Sequence, residues 1–287
     1  MRLALVVHPS RPIQAPLETL ERWAAGHGVD VVQLATEGGS ERELARRGEL
    51  EDGDLVIALG GDGTVLSALR AAAPANAPVM GVACGSLGAL AAVREDALRG
   101  ALERYLEGDW TARRLPALAI RPAGSSEQWA VNDFVVVRRG AGQVVLEVSV
   151  DDELYVRLAG DGLIVATALG SSGYSMAAGG PLISAGAPVV VCTPVAMHGG
   201  SAPPLVVPAT AVVRVQVHPN FAGFDVEFDG HTYPLEDVDY RVSLHEDKVT
   251  LVTFGDLGLG LTGLRRRGLI TDSPRVLARD ARAARMD

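Results

Sequence analysis

Asp62 stands in a glycine-rich turn, Gly60-Gly61-Asp62-Gly63-Thr64, that follows an apolar run from Leu55 to Leu59 and precedes Val65, Leu66, Ala68 and Leu69 at helical spacing. Glycines let a backbone turn sharply and approach a ligand without Cβ clashes. Thr64 is placed to cap the helix that follows, and the unpaired N–H groups and positive dipole end of that helix would face the same space. Anion binding is the chemistry this predicts, with one carboxylate at hand. Gly60-Gly61-Asp62-Gly63 also describes a plain tight turn, since Gly and Asp dominate turns for conformational reasons.

A lysine-based phosphate loop is excluded, because that motif needs a Gly-Lys-Ser/Thr step and the only lysine is Lys248. Backbone amides and a metal are therefore expected to handle phosphate. A second segment, Gly160-Asp161-Gly162 with the apolar Leu163–Thr167, leads into Ala168 to Pro181, which is dominated by small and hydroxyl-bearing residues. Such a run packs poorly as core but suits a ligand lying against backbone, with Ser and Tyr hydroxyls for ribose or phosphate. A flexible linker is the competing reading, and the apolar entry and mid-run Tyr174 argue against it.

With these motifs, Asn132-Asp133, Ala178-Gly179-Gly180-Pro181, Pro204-Leu205-Val206-Val207 and Asp229-Gly230, the chain resembles the bacterial NAD kinases in order and spacing over roughly residues 1–255. The glycine–Asp turn is shared with diacylglycerol, sphingosine and phosphofructokinases; the combination is what distinguishes the family. The resemblance implies phosphoryl transfer from ATP or polyphosphate, with Mg²⁺, to the 2′-hydroxyl of the adenosine ribose of NAD. It casts Asp62 as the catalytic carboxylate, general base or metal-linked orienter, with Gly60, Gly61, Gly63 and Thr64 around the nucleotide. It assigns Asn132 and Asp133 to adenine and ribose hydroxyls, and Ser172, Gly173 and Tyr174 to the dinucleotide. Asp161 would reach a neighbouring subunit's dinucleotide in a homodimer or homotetramer, and His198 would lie near the same ligand. No protein metal ligands are implied.

Departures from the family pattern accompany these matches. Ala83 and Ala89 replace an Asn and a Phe, Ala168-Leu169 a Pro-Thr, Ala177 a Ser and Pro203 an Arg. A lost buried polar contact typically costs ~1–3 kcal/mol, so these changes bear on dinucleotide binding while leaving Asp62 in place. Two other readings follow: a kinase of the same superfold acting on a lipid or nucleoside hydroxyl, and a dinucleotide-binding sensor without turnover. The intact Asp62 opposes the sensor, and the lack of an evident apolar groove or basic patch opposes the lipid kinase.

Composition agrees with a globular enzyme: 287 residues, 48% hydrophobic, 21% charged, net charge -9. That charge excludes a general nucleic-acid binder, which needs a basic surface. The short runs Arg138-Arg139 and Arg265-Arg266-Arg267 are read as solvated faces, and His231, after Asp229-Gly230, as a turn residue. Cys84 and Cys192 read as buried free thiols of a reducing compartment. No run reaches signal-peptide or membrane-span length, so the expected location is cytoplasmic, without membrane association.

Residues 1–115 alternate strand- and helix-like pieces: Leu3–Val7, a helix with Leu17, Leu20, Trp23 and Ala24, Val29–Leu34, a polar helix near Glu41–Arg47, Leu55–Leu59 and Val79–Cys84. This predicts an α/β, Rossmann-like domain on a parallel sheet, with ligands at the strands' carboxyl ends. Residues 116–255 switch to successive strands (Trp129–Val137, Val144–Val150, Leu154–Leu158, Leu163–Thr167, Val212–Val217, Asp225–Phe228) with a hairpin at Asp151-Asp152, predicting an all-β, antiparallel sandwich-like domain that carries the dinucleotide. Residues 256–287 are expected to pack back on the first domain or fray. Val276, Leu277, Ala281 and Ala284 make that tail amphipathic.

Overall fold

The structure, a computed structural model, describes residues 1–35, 42–86, 88–218, 223–233, 237–255 and 259–283. The first half runs β1 (Leu3–Val7), α1 (Gln14–His27), β2 (Val31–Gln33), β3 (Leu55–Gly60), α2 (Asp62–Ala72), β4 (Pro78–Ala83), β5 (Val93–Arg94) and α3 (Leu98–Leu106). Every residue of β1 and β3 is buried, as a parallel strand covered on both faces requires. Side-chain alternation splits them: Leu3, Leu5, Leu55, Ile57 and Leu59 join Leu17, Leu20 and Trp23 of α1 and Leu98 and Leu102 of α3 in one cluster. Ala4, Val6, Val56 and Ala58 join Val65, Leu66 and Leu69 of α2 in another. Burying a Leu or Ile in such a cluster contributes ~1.5–3 kcal/mol.

The second half is almost all strand: β6 (Thr111–Pro122), β7 (Gln128–Ala130), β8 (Asp133–Arg138), β9 (Val144–Val150), β10 (Glu153–Gly160), β11 (Gly162–Thr167), the single turn α4 (Tyr174–Ala177), β12 (Val189–Val195), β13 (Leu205–Pro208), β14 (Val212–His218), β15 (Phe224–Phe228), β16 (His231–Tyr233) and β17 (Asp239–Thr253), then α5 (Leu261–Arg266) and α6 (Pro274–Ala283). One sheet has the order β13-β12-β11-β8-β15-β16 and is antiparallel throughout. The other runs β10-β9-β14-β17-β4-β3-β1-β2. Its β17 pairs antiparallel with β14 and β6 but parallel with β4, so one continuous sheet carries both the parallel unit and one layer of the sandwich. The sandwich core between the layers includes Phe134, Val136, Leu146, Val165, Val215, Phe228 and Tyr240. Asp151 and Asp152 take φ of 50° and 65°, the mirror-image turn geometry that suits a two-residue hairpin.

Three sequence expectations change. Residues 42–48 are not helical: Gln33, 2% exposed, donates from its side-chain amide to the Arg42 carbonyl and accepts the Leu44 N–H, holding them extended beside β2. Glu41 lies outside the described residues. The strand expected over Trp129–Val137 is broken at Val131-Asn132, for a reason given below. Arg138 and Arg139 are not merely solvated: they pair with Asp161 and Asp225. At the C-terminal end Leu259 is buried in the α2-side cluster, whereas Val276 and Leu277 of α6 are exposed; Ala284 lies outside the described residues.

Candidate active site

The glycine turn sits where β3 ends and α2 begins. A Cβ on Gly60 would lie 2.1 Å from Thr64 Oγ1, so glycine is required for the helix to start this close to the strand. Thr64 folds back against Gly60 and does not cap the helix. Instead α2 starts two residues earlier, at Asp62, with Gly61 extended in the cap position and no side-chain cap. Gly63 faces open space. The Asp62 carboxylate accepts three backbone N–H groups: Ala89 on Oδ2 at 2.8 Å, and Leu90 and Ala91 on Oδ1 at 2.9 and 3.1 Å. A Cβ on Gly88 would enter that carboxylate at 2.1 Å. In this state Asp62 latches the segment after β4 to the start of α2, where a negative charge is favoured. The departures Ala83 and Ala89 are buried in the apolar cluster with Leu66 and Leu90.

The second cluster forms at the break between β7 and β8. Asp229, held at φ 49° in the turn after β15, accepts N–H bonds from Val131 (3.1 Å), Asn132 (2.6 Å) and Asp133 (3.1 Å). Those donors leave the ladder because this carboxylate replaces it, which is why the strand breaks. Arg70, near the end of α2, donates to the Phe228 carbonyl at 2.7 Å and lies 3.4 Å from Asp229. Both side chains are essentially buried. From the other side Thr167 donates to the Asn132 and Val131 carbonyls and accepts the Gly170 N–H. A Cβ on Gly170 would meet the Asn132 carbonyl at 2.1 Å.

Asn132 and Asp133 are thereby fixed by backbone bonds while their side chains make no hydrogen bond among the described residues. Asp133 is nearly buried, and burial, then repulsion from Asp229 and Glu227, pushes its carboxyl up to about 7 against the attraction of Arg70. Tyr174, half exposed at the start of α4, has its hydroxyl pushed up by burial and then by the charges of Glu227, Asp161 and Asp133. Ser172 sits in the preceding turn, its hydroxyl on the Leu169 carbonyl at 3.3 Å, and Gly173 is the cap residue just before α4. Beneath, buried Ser175 bonds Thr193 at 2.8 Å and closes against Gly180. Asp161 is held by Arg138 at 2.5 Å. His198 is exposed, its ring bonds Gln143 and its N–H the Ala159 carbonyl, whereas the His231 ring sits 3.3 Å from the Asp229 carbonyl.

The two clusters share α2: Asp62 opens it and Arg70, two turns on, supports the Asn132-Asp133 break. Val131, with Leu169 packed against it, also belongs to the core cluster of Ala83 and Leu90. Arg70 escapes sequence reasoning, although it is the one charge after the first turn of an otherwise apolar helix. So does Arg11, whose guanidinium lies beside Gly61, 50 residues on in sequence. Among the described residues no three His, Cys, Asp or Glu side chains gather as a metal site.

A glycine turn and helix start at parallel strand ends, joined to a sandwich that presents an Asn-Asp pair, define a two-part phosphotransferase for a nucleotide substrate. The models of the ATP-NAD kinase N-terminal and C-terminal domains match residues 5–110 and 131–254. The chain therefore belongs to the NAD kinase family, phosphotransferases that act on NAD. It is 35% identical to the NAD kinase of Syntrophotalea carbinolica over 68% of this chain and 72% of that one. With the NAD kinase of Koribacter versatilis it shares 33% identity over 85% and 90%. Yeast NADH kinase complexed with NADH has the same fold (TM-score 0.73, 19% identity, 95% of this chain and 89% of that one). So does an NAD kinase from Archaeoglobus fulgidus in complex with ATP (TM-score 0.67, 22% identity, 93% and 99%).

Proposed function

We propose that the chain binds NAD on the Asn132-Asp133 shelf and transfers the terminal phosphoryl group of ATP to the adenosine-ribose 2′-hydroxyl, with Asp62 as the group that orients and deprotonates it. The observation that carries this reading is Asp133: a desolvated carboxylate, fixed by its backbone and without a hydrogen-bond partner among the described residues, is a prepaid acceptor for two ribose hydroxyls. Tyr174, Ser172 and Gly173 complete the wall, and Asn132 supplies an amide for the adenine. When NAD enters, the 2′-hydroxyl takes one of the positions on Asp62 now filled by an amide of residues 89–91. The 2′-oxygen bonds to the terminal phosphorus, the phosphorus–oxygen bond to ADP breaks, and the hydroxyl proton passes to Asp62. Magnesium arrives as part of the ATP substrate. The test is NADP formation from NAD, ATP and magnesium, read by NADP-specific enzymatic cycling; a folded chain that binds NAD yet forms no NADP refutes it.

Asp133 must be ionised to accept two hydroxyls. Its folded value of about 7 lies above the unfolded carboxylate range. Two consequences of opposite sign follow. Its contribution to stability is full below about pH 4 and is lost as pH rises through 7. The value of kcat/KM for NAD rises through the same window, and Asp133→Asn abolishes that titration; an unchanged pH profile in the variant would remove Asp133 from the acceptor role.

Gly170→Ala drives a methyl group to within 2.1 Å of the Asn132 carbonyl oxygen, a backbone contact that only a shift of the shelf can relieve. The expected result is a KM for NAD raised at least ~10-fold, equivalent to ~1.4 kcal/mol, with the KM for ATP unchanged.

In an oligomer, proposed to be a homodimer or homotetramer, Asp161 is steadied by Arg138 and can present its second oxygen to a neighbour's dinucleotide. No helix among the described residues is long and apolar enough to cross a membrane. The two thiols are free and buried, which suits the reducing cytoplasm proposed for the chain.

A further inference from the structure

The donor's triphosphate needs positive charge at the strand ends, and the lone lysine is committed elsewhere: Lys248 Nζ lies 4.4 Å from the Trp129 ring centroid and 3.0 Å from Asn76. Arg11, in the loop between β1 and α1, meets the need. Its Nη1 donates to the Cys84 carbonyl at the end of β4, at 3.1 Å. A Cβ on Gly61 would come within 3.0 Å of that nitrogen, and one on Gly85 within 3.7 Å. The guanidinium thus bridges the ends of β3 and β4 in space that two glycines leave open.

Of its five N–H donors, this one bond uses a single nitrogen, and among the described residues no carboxylate pairs with it. Its backbone is anchored on both sides: His8 Nδ1 accepts the N–H groups of Ser10 and Arg11 at 3.1 Å each, and Arg42 Nη1 donates to the Arg11 carbonyl at 2.8 Å. At His8 the field is positive, for the ring is pushed down by burial and then by Arg11 and Arg42, whereas at Cys84 the charge of Glu95 outweighs that of Arg11. A planar fork of donors, pre-positioned and unneutralised, fits paired phosphate oxygens better than an ammonium would.

We infer that Arg11 grips the phosphate chain of the donor, whether ATP or polyphosphate, and sets it in line with the hydroxyl held at Asp62. The inference rests on the kinase reading above for its acceptor but not for its ligand, an oligophosphate. Steady-state kinetics on the full chain, varying ATP at saturating NAD and the reverse, should give Arg11→Gln a KM for ATP raised about 10- to 100-fold, the range of a lost charge-assisted bond. The KM for NAD stays within about twofold of wild type. Arg11→Lys, which keeps charge without the fork, falls between. A rise in both KM values together, or in neither, overturns the assignment. Equilibrium titration of ATP without NAD separates the two ideas: binding lost in Arg11→Gln at an unchanged Tm supports the grip even if wild type forms no NADP, and binding retained refutes it even if wild type is an active kinase.

Discussion

Asp62→Asn is expected to lower kcat for NADP formation by ~10²–10⁴-fold, the contribution of a positioned proton acceptor, with the KM for ATP little altered. The variant separates two duties that the structure gives one carboxylate. As a latch, Asp62 accepts Leu90 and Ala91 N–H groups on Oδ1 and the Ala89 N–H on Oδ2. Asparagine keeps the carbonyl oxygen for the first two but turns an amide donor toward the third. Residues 90 and 91 therefore retain most of their hydrogen-exchange protection, while turnover is lost because the amide takes up no proton. Asp62→Ala removes all three bonds and exposes the segment to exchange as well. If Asp62→Asn turned over normally while exchange at Ala89 alone increased, Asp62 would be a latch and the proton would need another acceptor. The latch also explains Gly88, since any side chain there collides with the carboxylate: the glycine belongs to Asp62's environment although it is 26 residues away.

The parts of this site that are local in sequence were legible there. Alternation and apolar runs located β1, β3, β4, β9 and β11 because each is a continuous buried or half-buried strand, and the glycine turn announced the β3–α2 junction by composition. Three things were not local. Thr64 looks like a cap by residue type, but cap geometry depends on where the helix starts, and the absence of a Cβ at Gly60 lets it start at Asp62. The β7–β8 break is imposed by Asp229, almost 100 residues later, on a run whose own residues favour continuous strand. Arg11 reaches Gly61 only because parallel pairing of β1 with β3 brings their carboxyl ends side by side. Asn132 and Asp133 could be named from resemblance, but that they are held by backbone, with side chains unpartnered among the described residues, is a tertiary fact.

Replacing Asp229 should produce the largest loss of stability available at this site. Its carboxylate is buried, satisfies three backbone donors and faces the buried Arg70 guanidinium, whose Nε has no partner among the described residues. Asp229→Ala strands the guanidinium's charge in the interior, a situation that costs ~3–5 kcal/mol, lowering Tm by roughly 6–20 °C for a chain of this size. The free amides of Val131, Asn132 and Asp133 then lose their register, so the KM for NAD rises with the KM for ATP unchanged. Asp133 reports the same event differently: without the Asp229 charge its carboxyl titrates lower, and the pH window for NAD binding moves down. Arg70→Met combined with Asp229→Ala removes the stranded charge and recovers part of the Tm, while the shelf, lacking its carboxylate, stays loose and the KM for NAD stays high. A single variant within about 2 °C of wild type, less than ~1 kcal/mol, would mean that water can replace the carboxylate and that the Arg70–Asp229 pair does not fasten the dinucleotide shelf to the helix of Asp62. The expected split, stability recovered and NAD binding not, ties the two roles of one buried acid to two different atoms: its charge to Arg70, and its oxygens to the backbone that carries Asn132 and Asp133.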